Sequence, residues 1–147
     1  MSDLGRFLLA QHGTYAEALG ELRAGAKRSH WMWFVFPQLA GLGRSPTARH
    51  FAIRDLAEAH AYLKHGELGP RLREATAATA AWAGRRTLAE IFGPVDALKF
   101  VSCMTLFEVA AGRKGQADFA LALNAFAGGV RDRHTLTLIG TAHRATA

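Results

Sequence analysis

The sequence contains few of the residues that cross-link small domains or favour sheets. It has one cysteine and four prolines in 147 residues, and a lone cysteine excludes both an intrachain disulfide and a zinc site made of several thiolates. Valine and isoleucine together number 8, against 47 alanines and leucines. Because β-branched side chains favour strands whereas Ala and Leu favour helices, this composition predicts an all-α fold.

Long apolar runs and an export signal are also missing. No run approaches the roughly 18 apolar residues that a membrane span requires, and the residues from Met1 to Asp3 do not begin a secretory signal. We therefore expect a cytoplasmic protein with no membrane partner. A chain of this length buries roughly 70% of its unfolded surface, so we expect one compact multi-helix domain over residues 1–147.

Basic residues exceed acidic ones, and the net charge is +6. The arginines are scattered, with at most two basic residues in a row. Nucleic-acid binding usually requires a contiguous basic face, which makes nucleic acid a disfavoured partner. The alternative hypothesis is a non-catalytic module whose Arg-rich surface or exposed Trp binds a protein or a nucleic acid.

Helix-start signals divide the chain into short helices. A capping side chain followed three residues later by an acid occurs at Thr14 with Glu17, Asp55 with Glu58, and Thr87 with Glu90. Two further caps are predicted at Ser45, which precedes a proline, and at Asp132. The predicted helices cover residues 4–11, 14–24, 29–36, 46–54, 55–65, 68–83, 87–92, 94–111, 116–127 and 132–143, with a loop over 37–44.

Six consecutive apolar residues from Trp31 to Phe36 fit either a buried strand or a buried helix. A strand needs a partner for its backbone groups, and no second stretch of the chain alternates like a strand. Ser29 is placed to cap a helix, and Pro37 is placed to end it. We therefore predict a buried helix over 29–36.

Polar side chains gather at the start of that predicted helix. Lys27, Ser29 and His30 precede the apolar run, and the unpaired N–H groups and positive dipole of a helix start attract anions. Trp31 and Trp33 offer flat surfaces that can stack on a ring of a ligand. In the structural alternative, Ser29 only caps the helix, both Trp side chains are core, and His30 is hydrogen-bonded scaffolding.

A second polar set lies on the most hydrophobic long helix, predicted over 94–111. Lys99, Ser102 and Thr105 recur there at helical spacing. An unpaired ammonium in such a helix is costly, so Lys99 either pairs with an acid or faces the first polar set and lines a pocket. The candidate acids are Asp96, Glu58 and Glu90. Gln38, directly after the apolar run, is unexpected in a plain turn and is assigned to the same pocket.

Known catalytic and metal motifs are absent. The seven histidines form no H-E-x-x-H pattern, no G-x-S-x-G motif occurs, and Cys103 lies among apolar neighbours in a predicted helix. We expect no metal and no cofactor. If the protein is an enzyme, His30 is the candidate acid or base.

One block resembles a known bacterial family: K-R-S-H-W-M-W-F-V-F-P-Q-L-A-G-L-G-R-S at residues 27–45. Together with K-F-V-S-C-M-T-L-F from Lys99, it is similar to the family called domain of unknown function 1810, over residues 7–139. The resemblance implies a compact all-α fold and no established activity. Members often carry the label calpastatin, but calpastatin is a long disordered protease inhibitor and this composition is globular. The family's characteristic polar positions correspond here to Lys27, Ser29, His30, Gln38, Lys99, Ser102 and Thr105.

These observations lead to one principal hypothesis, a pocket for a small anionic ligand that is phosphorylated or nucleotide-like. Lys27 and Lys99 would neutralise its charge, Ser29 would donate a hydrogen bond, and a Trp would stack on it. The predicted binding residues are Lys27, Ser29, Trp31, Trp33, Gln38, Lys99, Ser102 and Thr105.

Overall fold

The computed structural model describes residues 3–126 and 128–146, the last six by their backbone alone. Ten α-helices account for most of this described part, and it contains no strand apart from one isolated parallel bridge between Leu39 and Ile53. The all-α prediction is confirmed. The helices are α1 Gly5–Gln11, α2 Tyr15–Arg23, α3 Met32–Val35, α4 Pro46–His50, α5 Leu56–Lys64, α6 Leu68–Ala80, α7 Leu88–Phe92, α8 Pro94–Gly115, α9 Ala117–Phe126 and α10 Arg133–Thr146. No described helix is both long and apolar enough to cross a membrane.

Most helices differ from their predicted bounds by only a few residues at each end. The largest differences are in α3, described below, in α4, which ends at His50 instead of residue 54, and in α8, which ends at Gly115 instead of residue 111. The chain leaves α4 because Ile53 donates its N–H to the Gln38 carbonyl at 2.8 Å and accepts from the Ala40 N–H at 2.8 Å. α8 continues to Gly115 through a kink at Gly112. The predicted end of α9 at residue 127 lies outside the described residues.

Two of the three predicted pairs of capping residue and acid supply a cap. Thr87 and Glu90 form a complete capping box, with each side chain accepting from the other residue's backbone N–H at 3.1 and 2.9 Å. Asp55 accepts from the Glu58 N–H at 2.9 Å. Thr14 is the N-cap residue of α2, so the predicted helix start is confirmed, but its side chain makes no capping bond and the predicted cap is wrong.

Aromatic rings form the centre of the core. Trp31 and Phe36 are fully buried. Phe36 makes edge-on contacts with Phe92 and Phe100 at centroid distances of 5.9 and 5.1 Å, and those two rings stack at 5.2 Å. The apolar block therefore packs against α7 and α8, which brings the polar residues on either side of it close to α8.

A buried ion pair positions the chain between α4 and α5. Arg6 binds Glu58 at 2.9 Å, and the Glu58 side chain is 2% exposed. The same guanidinium donates to the carbonyls of His50 at 2.9 Å and Ala52 at 2.8 Å. Arg6 thus joins α1 to the segment over 50–58, part of which forms a wall of the candidate site.

Gly25 allows the turn that leads from α2 into this site. Its φ is +73°, and an added Cβ would lie 2.8 Å from the Trp82 indole. We expect Gly25→Ala to lower the free energy of unfolding by about 2 kcal/mol or more, because a left-handed non-glycine residue alone costs roughly 1–2 kcal/mol. Gly84→Ala is the matched control, since Gly84 has a φ of +81° and no atom within 4 Å. Equal losses in urea denaturation would show that the indole contact contributes nothing.

Candidate functional site

The carboxylate of Glu21 binds the segment between α2 and α3. Its Oε1 accepts from the backbone N–H groups of Arg28 at 2.6 Å and Ser29 at 3.0 Å, and from Trp31 Nε1 at 3.0 Å. Burial by itself raises the pKa of this carboxyl, but the hydrogen bonds outweigh burial and lower the pKa of Glu21 to about 2. An ionised Glu21 therefore joins residues 28–31 to α2.

Ser29 does not cap a helix. α3 covers only four residues, Trp31 is its N-cap residue, and no side chain caps it, so the predicted helix over 29–36 is too long. The Ser29 hydroxyl lies 2.7 Å from Glu21 Oε2 and 2.9 Å from Glu17 Oε1. The segment takes its hydrogen bonds from α2 instead of from a helical turn, and the predicted helix start at Ser29 does not exist.

The two lysines meet on one carboxylate. Lys27 Nζ lies 3.0 Å from Asp96 Oδ2, and Lys99 Nζ lies 3.4 Å from Asp96 Oδ1. The Lys27 backbone N–H also donates to the Ile91 carbonyl at 2.8 Å. Lys99 therefore has the Asp96 pairing that the sequence left open as one alternative. We call Lys27, Asp96 and Lys99 the lysine cluster, and its formal charge is one positive unit.

Each lysine also lies over an indole ring. Lys27 Nζ is 5.2 Å from the centre of the Trp31 ring, and Lys99 Nζ is 5.0 Å from the centre of the Trp33 ring. Trp31 is fully buried, whereas Trp33 is half-buried. An ammonium over an indole within about 6 Å is attracted to the ring. Both tryptophans therefore help to orient the lysine cluster.

Lys99 also lines a small cleft beside Trp33. The cleft has a volume of about 40 Å³, which is room for a few water molecules at roughly 10–15 Å³ each. We call it the Trp33 cleft. Its walls are formed by Trp33, Gln38, Leu39, Gly43, Ala48, Phe51, Ala52 and Lys99. Whole-ligand pockets span roughly 300–1,000 Å³, so this cleft encloses a chemical group and not a complete nucleotide.

Ser102 and Thr105 lie on α8 but do not line the cleft. The Ser102 hydroxyl donates to the Leu98 carbonyl at 3.1 Å, within its own helix. The Thr105 hydroxyl donates to the Val101 carbonyl at 2.8 Å and accepts from the Asp132 N–H at 2.9 Å. Both side chains are buried. Thr105 therefore stabilises the turn before α10 by accepting a hydrogen bond from the backbone of Asp132.

His30 is separate from the lysine cluster as well. It is exposed and does not line the cleft, and among the described residues no hydrogen bond joins it to the cluster. Of the predicted residues, the structure thus brings Trp33, Gln38 and Lys99 together at the cleft. Lys27 belongs to the same arrangement through Asp96.

Two residues that complete the arrangement were given no functional role from the sequence. Glu21 follows Glu17 by four residues, which places both acids on one face of α2, and that spacing is the signal that could have identified them as partners of the basic segment. Phe51 forms a wall of the cleft, but nothing in its local sequence marks it. Its position depends on the bridge at Ile53, which is a tertiary contact.

Metal and thiol chemistry gain no support from the described residues. In that part of the chain no group of three His, Cys, Asp or Glu side chains could hold a metal ion. Cys103 is fully buried, and burial raises the pKa of its thiol well above the ordinary value. A buried thiol of this kind is a poor nucleophile.

The sequence matches a known family, and the helical fold is shared with a solved structure. The chain belongs to the family described as "Protein of unknown function (DUF1810)", whose model matches residues 1–139, and the resemblance seen in the block over 27–45 is confirmed. A similar solved structure is the crystal structure of the conserved hypothetical protein Rv1873 from Mycobacterium tuberculosis. It shares 50% sequence identity and has a TM-score of 0.89, over 94% of this chain and 96% of that chain. No curated protein matches the sequence.

Proposed function

We propose that the protein binds the anionic group of a small ligand in the Trp33 cleft. The position of Lys99 carries this proposal. Lys99 lines the cleft, and its side chain is 28% exposed, whereas that of Lys27 is 10% exposed. Lys99 is thus the cation that a ligand reaches, and Lys27 is the more buried cation that binds Asp96 from the other side.

The arrangement supports anion binding because it is ordered before a ligand arrives. Asp96 and the Trp33 ring both restrict Lys99, which reduces the conformational entropy that binding must remove. Gln38 supplies an amide that can donate to an anion. The other walls are apolar or small, and an apolar lining strengthens the attraction between the ammonium and an anion.

The small volume limits what the cleft can enclose. About 40 Å³ accommodates one carboxylate, phosphate or sulfate group, and any larger part of the ligand must lie outside against the rim. Phosphorylated and nucleotide-like ligands therefore fit only through their anionic group. Their identity stays a prediction, as do catalysis by His30 and a cytoplasmic location.

The burial of the tryptophans favours a pocket over the alternative interaction module. A module that binds through an exposed Trp requires a flat accessible ring. Trp31 is instead enclosed, and Trp33 is half-buried beneath Lys99. Both positions fit a ligand cleft with a polar group at its wall.

We expect saturating small anions to stabilise the wild-type protein and to lose this effect in Lys99→Met. A ligand at 100 times its dissociation constant adds about 2.7 kcal/mol to the unfolding free energy, which thermal unfolding detects as a shift of several degrees. The probes are acetate, sulfate, inorganic phosphate and AMP at constant ionic strength. Lys114→Met is the matched control, because Lys114 is an exposed lysine at the far end of α8.

Two results would contradict the proposal. One is a wild-type protein that none of the probes stabilises. The other is an anion-induced shift of equal size in Lys99→Met, with the fold of the variant checked by circular dichroism. Loss of the shift in Lys114→Met as well would indicate a non-specific charge effect.

A further inference from the structure

We infer that the Trp33 cleft selects singly charged anionic groups, of the carboxylate or phosphodiester class, over doubly charged ones, and that Asp96 determines this selection. The inference rests on the proposed function, because it concerns the same cleft. It specifies the charge of the ligand, which the presence of Lys99 alone leaves open.

The argument starts from the charges that meet at the cleft. Lys99 is the one charged residue among the described residues that line it. Behind Lys99 lies Asp96, whose carboxylate binds Lys99 at 3.4 Å and Lys27 at 3.0 Å. The lysine cluster therefore presents one net positive charge, which a monoanion neutralises completely. A dianion would leave one negative charge in excess, in a partly buried site where unpaired charge is costly.

Asp96 cannot avoid this repulsion by turning away. Its two oxygens are each bound to a different lysine, and its side chain is 19% exposed. A rotation that freed Lys99 for a dianion would also remove the partner of Lys27, whose side chain is 10% exposed. Leaving a largely buried ammonium unpaired is unfavourable. Asp96 therefore stays beside the cleft as a fixed negative charge.

The lack of an arginine among the described lining residues supports the same conclusion. Phosphate monoesters are typically bound by arginine forks, which offer several donors in one plane, and no arginine is among the described lining residues. Arg44 and Arg49 adjoin the lining residues Gly43 and Ala48 in sequence, but both are exposed. Solvent and salt screen such charges, so they contribute little to the choice between monoanions and dianions inside the cleft.

Pairs of probes that share a shape and differ in charge test the inference. Methanesulfonate and dimethyl phosphate are monoanions, whereas sulfate is a dianion and methyl phosphate is mostly a dianion at pH 7.5, since the second pKa of a phosphate monoester is about 6. Affinities are measured by calorimetry at one ionic strength. We expect each monoanion to bind the wild-type protein about tenfold more tightly than its dianionic counterpart, a ratio that corresponds to about 1.4 kcal/mol. The affinities of acetate and dimethyl phosphate are then compared, and the tighter of the two shows whether the cleft prefers a carboxylate or a phosphodiester.

Asp96→Asn is the decisive variant. Asparagine keeps the size of the side chain and an oxygen that accepts from a lysine, but it raises the net charge of the cluster from one to two positive units. We expect the preference to reverse, so that sulfate and methyl phosphate bind more tightly than their monoanionic counterparts. Asp118→Asn is the matched control, because Asp118 pairs with Arg73 at 2.9 Å on α9 and lies outside the cluster.

A measurement on the wild-type protein keeps the inference testable if Asp96→Asn does not fold. Lowering the pH from 7.5 to 5.0 converts methyl phosphate to its monoanion, and its affinity should rise severalfold. Methanesulfonate stays a monoanion over this range, so any change in its affinity reports the protein's own titrations. The charged and titratable groups that face this side of the cleft are Asp96, Lys27 and His50, whose ring contacts Phe51 at a centroid distance of 4.6 Å.

The outcomes separate the inference from the proposed function. If dianions bind the wild-type protein as tightly as monoanions or more tightly, the inference is wrong and the proposed function stands. If no anion binds, both are wrong. A folded Asp96→Asn protein that still prefers monoanions would assign the selection to another group and overturn the role of Asp96.

Discussion

Replacing Trp31 with alanine is expected to lower the free energy of unfolding by about 3–5 kcal/mol, the usual cost of truncating a buried Trp. The indole is fully buried and packs against Phe36 at a centroid distance of 6.2 Å. Its Nε1 also donates to Glu21 at 3.0 Å. The substitution would therefore leave a cavity and remove one hydrogen bond at the same time. Urea denaturation gives the change directly.

Two further variants separate the roles of the neighbouring tryptophans. Trp31→Phe fills most of the cavity and loses only the Nε1 hydrogen bond, so its cost should be about 1–2 kcal/mol. Trp33→Ala removes a half-buried ring that forms a wall of the cleft, so it should affect anion binding more than stability. If Trp31→Ala and Trp33→Ala lowered stability equally, the assignment of Trp31 to the core would be wrong.

Helix starts could be predicted from the sequence at most positions where both partners of a signal lie close together in the chain, although Thr14 makes no capping bond. The Thr87 capping box is one case, and Ser45 accepting from the Ala48 N–H at 3.1 Å is another. The predicted cap at Asp132 also forms, since Asp132 accepts from the Thr135 N–H at 2.9 Å. These bonds span three residues, so they do not depend on how the helices pack.

The helix predicted at Ser29 did not form, because carboxylates on α2 bind the Ser29 hydroxyl that was expected to cap it. Glu21 lies eight residues earlier, yet its carboxylate binds the backbone N–H groups of both Arg28 and Ser29. An ionised carboxylate is a stronger acceptor than a neutral hydroxyl. The sequence contains both possible partners of the segment, but only the packing of α2 against it determines which of them binds.

The candidate site could be predicted in part because buried lysines are rare and conspicuous. The sequence placed Lys27 and Lys99 in one site, and the structure joins them through Asp96. Ion pairing and pocket lining were treated as alternatives for Lys99, whereas Lys99 does both. The ammonium of Lys99 can bind Asp96 and still face the cleft, because it carries three N–H donors. That outcome depends on the position of the loop over 37–44, which local signals do not specify.

Glu21→Gln is expected to destabilise the protein by about 2–4 kcal/mol at neutral pH, because several hydrogen bonds to an ionised acceptor are replaced by weaker ones. The pH dependence gives a sharper test. The hydrogen bonds lower the pKa of Glu21 from 4.5 in the unfolded chain to about 2 in the folded protein. A depressed carboxyl pKa stabilises the folded state fully above about pH 4.5, and this stabilisation is lost as the pH falls toward 2.

The difference in unfolding free energy between the wild-type protein and Glu21→Gln should therefore be constant above about pH 5 and should shrink between pH 4.5 and 2. It approaches zero at the acid end because glutamine resembles a protonated glutamate in shape and charge. Glu67→Gln is the control, since the side chain of Glu67 is exposed and pairs with Arg71 at 3.4 Å. A difference that stayed constant down to pH 2, measured by urea denaturation at each pH, would mean that residues 28–31 do not depend on the charge of Glu21.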